Sequence, residues 1–132
     1  MFDHMGIVVS NIEKSRLFYE ACLSSLGYQL LQDNLSSANE GWLVFGSGPS
    51  DPFFVVATGT PSFWSPEHSA GKAPLHLAFV APNDEAVDAF YQKGLENHGV
   101  DNGAPGPRKS STPLYAAFLI DPDGNNVEAC HR

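Results

Sequence analysis

The stretch HMGIVVSNIEKSRLFYEACLSSLG, residues 4–27, decides the fold because the chain carries it twice. Shifted by 72 residues and without a gap, it falls on residues 76–99, HLAFVAPNDEAVDAFYQKGLENHG. The identical pairs include His4 with His76, Asn11 with Asn83, Phe18-Tyr19 with Phe90-Tyr91, and Gly27 with Gly99. Unrelated sequences would match at about one position in 15 to 20, so the chain is an internal duplication of one structural unit.

The first copy of the unit predicts a strand, a helix and three further strands. Residues 4–9 are rich in aliphatic and β-branched side chains, which favours a strand. Ser10 to Glu13 has the spacing of a capping box, and Gly27 stands where a glycine ends a helix. Strand-like runs follow at residues 28–32, 42–45 and 53–58. The unit is therefore predicted to be a β-α-β-β-β module.

The second copy predicts the same order of elements. Its first strand covers residues 75–80, and Asn83 caps a helix whose buried stripe is expected to hold Val87, Phe90, Tyr91 and Leu95. A poorly defined strand lies near Val100, and strands follow at residues 114–120 and 126–130. Residues 101–113 contain Gly and Pro at several positions and are expected to be irregular.

Length and charge restrict the possible roles. The 132 residues suit a single domain, in which module one (1–58) and module two (75–132) are joined by a linker (59–74). A net charge of −8 argues against nucleic acid or an anionic membrane as a partner. Because the sequence shows neither a signal peptide nor a long apolar run, we expect a cytoplasmic protein without a membrane-spanning segment.

Alternation along the strands brings ionisable groups to one face. His4, Gly6 and Val8 share a face of the first strand, as His76, Ala78 and Val80 do in its copy. In the last strand, Asn126 and Glu128 share a face. Small residues beside each imidazole leave room for a ligand, so these faces are predicted to line a pocket.

These residues make the chain similar to the vicinal oxygen chelate superfamily, which includes glyoxalase I, bleomycin-resistance proteins, fosfomycin-modifying enzymes and extradiol dioxygenases. The resemblance rests on the tandem modules, on the histidine that opens each, and on the closing segment DPDGNNVE, residues 121–128. It implies an α+β fold in which the tandem βαβββ modules form an eight-stranded, open, barrel-like trough with a divalent metal on its floor.

The resemblance also implies a ligand set. By position, His4, His76 and Glu128 would hold one divalent ion, with Fe, Mn, Ni or Zn as candidates. The fourth family position falls, by the shift of 72 residues, on Val56, which cannot bind a metal. Phe118 stands where extradiol dioxygenases place a tyrosine. Both departures argue against glyoxalase I activity and against ordinary ring cleavage.

Two functions follow from this resemblance. The first is a metal-dependent enzyme that chelates vicinal oxygens of a small molecule, with lyase, isomerase, thiol transferase or dioxygenase chemistry and no identified catalytic base. The alternative is a metal-free protein that sequesters an aromatic or drug-like molecule in the trough. In either case a small molecule is the expected ligand and a homodimer is the expected assembly.

Other residues are candidates for the substrate pocket. Tyr115 and Phe63 are predicted to contact substrate because loops flank them, and Asn126 because it shares the face of Glu128. Arg108 and Lys109, in the stretch expected to be irregular, are interpreted either as contacts for an anionic substrate or as a solvated pair.

Overall fold

The computed structural model describes residues 2–59, 70–71, 73–110 and 112–132. The first half contains β1 (Met5–Val9), α1 (Ile12–Ser25), β2 (Gln29–Asp33), β3 (Trp42–Gly46) and β4 (Pro52–Thr58). The second half contains β5 (His76–Val80), α2 (Asp84–Glu96), β6 (Val100–Pro107), β7 (Tyr115–Ile120) and β8 (Asn126–His131). The predicted order of elements is therefore confirmed in both halves.

Each half forms a four-stranded mixed sheet. The strand orders are β1-β4-β3-β2 and β5-β8-β7-β6, with the outer pairs β1–β4 and β5–β8 parallel and the other neighbours antiparallel. Within the described part of the chain the two sheets do not close into a barrel. The predicted α+β class and the open trough of two modules are confirmed.

Both helices begin at an asparagine cap. The Asn11 side chain accepts a hydrogen bond from the Lys14 amide at 3.0 Å, and that of Asn83 from the Ala86 amide at 2.8 Å. The capping residue of α1 is thus one position later than a Ser10 cap would give. Gly27 follows the helix with a φ of +88°, which a glycine adopts without strain.

Residues 101–107, the first part of the stretch expected to be irregular, form a strand, so the prediction was wrong for that part. Residues 100–107 form β6 at the edge of the second sheet, where the missing N–H of a proline is tolerated. The register against β7 shifts twice, between Asp101 and Gly103 and between Gly103 and Gly106. These bulges absorb the glycines and prolines that made the segment resemble a loop.

One core joins the two halves. It contains side chains from both sheets and both helices. Cys22 and Gly94, which occupy equivalent positions of the repeat, meet where α1 packs on α2, and a Cβ on Gly94 would lie 2.8 Å from the Cys22 sulfur. Burial raises the pKa of the Cys22 thiol, which is therefore a neutral packing group. Leu95, expected in the buried stripe of α2, is 41% exposed instead.

The connection between the halves is described only at its ends. Residues 60–69 and 72, which include the predicted substrate contact Phe63, lie outside the described residues. Among the helices that are described, none has the length and apolar character needed to cross a membrane.

Candidate functional site

The trough face of each sheet is the face opposite its helix. On β5 it carries His76, Ala78 and Val80, which are exposed, whereas Leu77 and Phe79 are buried towards the helices. The parallel register pairs His76 with Asn126 and Ala78 with Glu128. Residues paired in this way project to the same side of the sheet, so two neighbouring strands bring His76, Asn126 and Glu128 together.

A chain of hydrogen bonds orients the His76 ring. The side-chain Nδ2 of Asn102 donates to Asn126 Oδ1 at 3.0 Å, which leaves the Asn126 Nδ2 group to donate to His76 Nδ1 at 2.9 Å. His76 Nδ1 is then an acceptor, and the ring proton lies on Nε2, 3.0 Å from Glu128 Oε2. Asn126, predicted as a substrate contact, is thus next to the candidate ligands and touches one of them.

Glu128 is the buried member of this group. Its side chain is 10% exposed, against 53% for His76, and it lies at the floor of the trough face of the second sheet. Burying a carboxylate is costly unless it is hydrogen-bonded, and His76 Nε2 donates a hydrogen bond to Glu128 here. Burial, followed by the charge of Glu128, also raises the pKa of the neighbouring Cys130 thiol.

His4 is oriented differently from its copy. It precedes β1, is 63% exposed, and its Nδ1 lies 2.6 Å from the carboxylate of the adjacent Asp3. His4 and His76 nevertheless line one cavity of about 230 Å³, with Phe53 and Phe79 among the other lining residues. In the part of the chain that the structure describes, no three His, Cys, Asp or Glu side chains are grouped closely enough to hold a metal ion.

The donor set therefore fits a metal in part. Two ligand atoms about 2.1 Å from one ion and about 90° apart are about 3.0 Å from each other. The 3.0 Å between His76 Nε2 and Glu128 Oε2 is that separation. A metal would require Nε2 to lose its proton and His4 to turn away from Asp3.

The fourth family position needs a correction. The register pairs Gly6 with Val55 in the first sheet, whereas Ala78 pairs with Glu128 in the second. The structural counterpart of Glu128 is therefore Val55, and Val56 points into the core with no exposed surface. Before β4 the first half is one residue shorter than the second half before β8, so the shift of 72 residues is wrong there. In either position the first half supplies no carboxylate.

Tyr115 is not brought to this group. Its hydroxyl donates to Asp88 of α2 at 2.8 Å, so the side chain lies on the helix side of the second sheet. Glu128 lies on the other side, with Phe118 as its partner on β7.

Sequence reasoning missed two further residues of the trough face. Phe118, which in sequence only departs from a dioxygenase pattern, stacks on the His76 ring, with the ring centres 6.4 Å apart and the planes at 29°. Asn102, in a segment that the sequence predicts to be irregular, anchors Asn126 through a hydrogen bond. Pairing the two strands on either side of the DPDGNN turn would place Phe118 opposite Glu128. Placing Asn102 requires knowing that β6 is a strand of the same sheet.

The DPDGNN segment, residues 121–126, places Glu128 and joins the halves. Asp121 is buried and accepts hydrogen bonds from the amides of Asp123 and Asn125 at 2.9 and 2.8 Å, and from the Tyr19 hydroxyl of α1 at 2.6 Å. The Asp123 carboxylate accepts from the Ser10 amide of the first half, at 3.1 and 3.2 Å to its two oxygens. The turn that begins β8 is thereby attached to the other module.

Comparison with known proteins agrees with this architecture. The family model of the glyoxalase/bleomycin resistance protein/dioxygenase superfamily matches residues 1–129. An uncharacterized protein of Bacillus subtilis (strain 168), YqjT, is 30% identical over 128 residues, which are 95% of this chain and 94% of that protein.

Solved structures of similar proteins cover the whole chain. A glyoxalase/bleomycin resistance protein from Albidiferax ferrireducens T118 matches with a TM-score of 0.75 and 30% identity, over 100% of this chain and 99% of that one. A putative glyoxalase from Bacillus halodurans matches with a TM-score of 0.68 and 26% identity, over 100% and 96%. The chain belongs to the glyoxalase/bleomycin resistance protein/dioxygenase superfamily.

Proposed function

We propose that this protein binds one divalent metal ion through His76, Glu128 and His4 and uses it to chelate vicinal oxygens of a small substrate. The observation that carries the proposal is the 3.0 Å approach of His76 Nε2 to the buried Glu128 carboxylate on the trough face. Two imidazoles and one carboxylate on one side of an ion leave the other coordination positions open to substrate oxygens.

A divalent ion held there would act as a Lewis acid towards the bound substrate oxygens. The protein residues have separate tasks. Glu128 supplies negative charge in a place with little water, Asn126 orients His76, and Phe118 provides an apolar surface beside the imidazole. Lyase, isomerase, thiol transferase and dioxygenase reactions all fit this arrangement, and no general base is assigned.

Metal stoichiometry tests the proposal. The native chain, without a polyhistidine tag, would be reconstituted anaerobically with Fe(II), Mn(II), Ni(II) or Zn(II), and the bound metal measured by plasma mass spectrometry. We expect about one equivalent in the native protein, and an affinity lowered about tenfold or more by His76→Ala or Glu128→Gln.

A matched control separates this site from general histidine binding. His98→Asn removes an exposed histidine from the turn after α2, at a positive φ that asparagine tolerates, and should leave metal binding unchanged. His4→Ala tests the third ligand: an unchanged affinity would remove His4 from the set. Equal metal content in the native protein and the His76→Ala variant would disprove the site.

A metal-free binding protein is the second candidate function. Both ring nitrogens of His76 are already engaged, one by Asn126 and the other by Glu128. A trough stabilised by its own hydrogen bonds needs no ion to hold its shape. Failure of all four metals to bind, together with saturable binding of a small aromatic molecule in the presence of a chelator, would support this function instead.

A homodimer is part of the proposal. Large apolar side chains on the trough faces are exposed, with Val80 at 69%, Val100 at 61% and Trp42 at 49%. A second copy that covered them would remove apolar surface from water and shield the substrate. Sedimentation equilibrium should give twice the chain mass of 14.2 kDa, and a mass of one chain at micromolar concentration would contradict the dimer.

A further inference from the structure

Arg108 lies over the ring of Phe118, the trough-face residue that stacks on His76 and pairs in register with Glu128. We propose that its guanidinium is the anion-binding end of the trough, so that the protein selects a planar substrate with a carboxylate group. This inference rests on the proposed function for the position of the substrate at His76 and Glu128, and it deepens that function by naming a substrate class.

The backbone of β6 is shaped to hold the guanidinium. The register shift between Gly103 and Gly106 interrupts the ladder with β7. Arg108 Nη2 donates to two backbone carbonyls at this bulge, those of Ala104 and Ala116, the latter at 2.9 Å. The side chain is therefore fixed across the sheet.

Gly103 provides the space for this arrangement. A Cβ at that position would lie 3.0 Å from the Phe118 ring and 3.6 Å from Arg108 Nη2. The guanidinium carbon lies 5.1 Å from the centre of the Phe118 ring, within the range of a cation–π contact. A bulge, a glycine and an aromatic ring thus place one positive charge on the trough face.

Part of the guanidinium lacks a partner. Arg108 Nε is buried, and it finds no hydrogen-bond acceptor among the residues that the structure describes. Buried donors in native proteins nearly always have a partner, which is either protein, water or a ligand. Because Nη2 already donates to two carbonyls, the two-point fork that arginine usually offers a carboxylate is not available here, and the guanidinium acts through its charge and its remaining N–H groups. A carboxylate would be attracted by the charge of the guanidinium and would accept a hydrogen bond from its remaining amino group, Nη1, whereas the buried Nε would be reached only if the side chain moved.

The charges along the trough face define an orientation for the ligand. Phe118 lies between Arg108 on one side and the His76–Glu128 pair on the other, stacked on His76 and paired in register with Glu128. A carboxylate is attracted by Arg108 and repelled by Glu128, so it binds at the Arg108 end. A planar ring or conjugated group that extends from Arg108 along the trough face then points its other polar substituents towards His76.

Two probes of nearly equal shape test the proposal. Salicylate and salicylamide differ in charge but both carry a ring and vicinal oxygens, and their binding would be followed by NMR titration in EDTA at low salt. We expect salicylate to bind about tenfold more tightly than salicylamide to the native protein. Arg108→Met should reduce salicylate to the affinity of salicylamide.

Lys109→Met is the matched control, because it removes the adjacent positive charge from an exposed residue. It should leave the preference for salicylate intact. Equal loss in Lys109→Met and Arg108→Met would show attraction by general charge and overturn the proposal. A preference that survives Arg108→Met would also overturn it.

Ionic strength gives a test that needs no variant. In the native protein, salt should weaken the binding of salicylate and leave that of salicylamide nearly unchanged. The absence of such a difference overturns the inference even if Arg108→Met fails to fold. Because these titrations are done in EDTA, they do not depend on bound metal. If the protein prefers salicylate but binds no metal on reconstitution, this inference stands and the metal proposal fails. If the protein binds metal but shows no preference for salicylate, only the inference about Arg108 is rejected.

Discussion

The trough faces of the two halves differ although their backbones correspond. In the second half, β8 presents Asn126, Glu128 and Cys130 next to β5. In the first half, the equivalent positions of β4, next to β1, are occupied by Phe53, Val55 and Ala57. The second sheet therefore offers hydrogen-bonding groups to its histidine, whereas the first sheet offers hydrocarbon.

This difference accounts for the two histidine orientations. His76 is held at both ring nitrogens by side chains of the neighbouring strand. His4 has no such partner on β4 and instead contacts the adjacent, exposed Asp3. The two halves thus share the backbone that positions an imidazole, while only the second half has the side chains that orient it.

The largest expected effect comes from placing a carboxylate on β4. Val56→Glu buries a charge in the core, where Val56 has no exposed surface, and should destabilise the protein by about 4 kcal/mol or more. Val55→Glu places the same group on the trough face, as Glu128 is placed in the other half, and should cost about 1 kcal/mol or less. Urea unfolding measures both. Equal effects would show that the one-residue correction to the repeat is wrong.

The turns that precede β4 and β8 offer the second comparison. Asp121→Ala removes the acceptor for Tyr19, Asp123 and Asn125 and leaves buried donors unpaired, at a cost of about 3–4 kcal/mol. Asp51 stands in the corresponding turn of the first half but is exposed, so Asp51→Ala should change the free energy of unfolding by about 0.5 kcal/mol or less. Comparable losses would contradict an anchoring role specific to the second turn.

Tyr19 and Tyr91, at equivalent positions of the two helices, should differ in their response to alkali. Burial, and then the charge of Asp121, raises the pKa of Tyr19 well above its usual range. Its contribution to stability is therefore complete below about pH 10, where the tyrosine of the unfolded chain ionises. Above that pH the contribution falls by about 1.4 kcal/mol per pH unit, until the folded protein also ionises.

Tyr19→Phe should accordingly flatten the fall in stability above pH 10, and at neutral pH it should cost about 1–2 kcal/mol for the lost hydrogen bond. The Tyr91 pKa is raised chiefly by its hydrogen bond to Asp101, at the protein surface. Tyr91→Phe should leave the pH dependence close to that of the native protein. Urea unfolding of the three proteins between pH 8 and pH 12 measures the difference, and equal slopes would contradict it.

Periodicity and repetition predicted the fold because they record interactions that are local or duplicated. The asparagine cap of α2, the alternation along β5 and β8, and the pairing of the modules all follow from such patterns. The slip between Val55 and Val56 could not be predicted, since it depends on how the turn before β4 fits the sheet. Nor could β6, because its glycines and prolines are accommodated only by an edge position and by bulges against β7.

The same limit explains the candidate site. Strand alternation predicts that Asn126 and Glu128 share a face, and the family resemblance implies that His76 lies beside Glu128. Their hydrogen-bonding depends on Asn102, which becomes a neighbour only once β6 pairs with β7. Arg108 reaches Phe118 from the end of the same strand, so the sequence could offer an anion contact only as one of two alternatives for Arg108.

The attachment of the DPDGNN turn to the first module makes the two halves unequal partners. Asp123 accepts a hydrogen bond from the Ser10 amide, but the residue equivalent to Ser10 in the second half is Pro82, which has no amide hydrogen. Two copies of the second module could not reproduce this contact, and the first module has no DPDGNN turn to offer. In this contact the two halves are therefore not interchangeable: each carries a group for which only the other half has the partner.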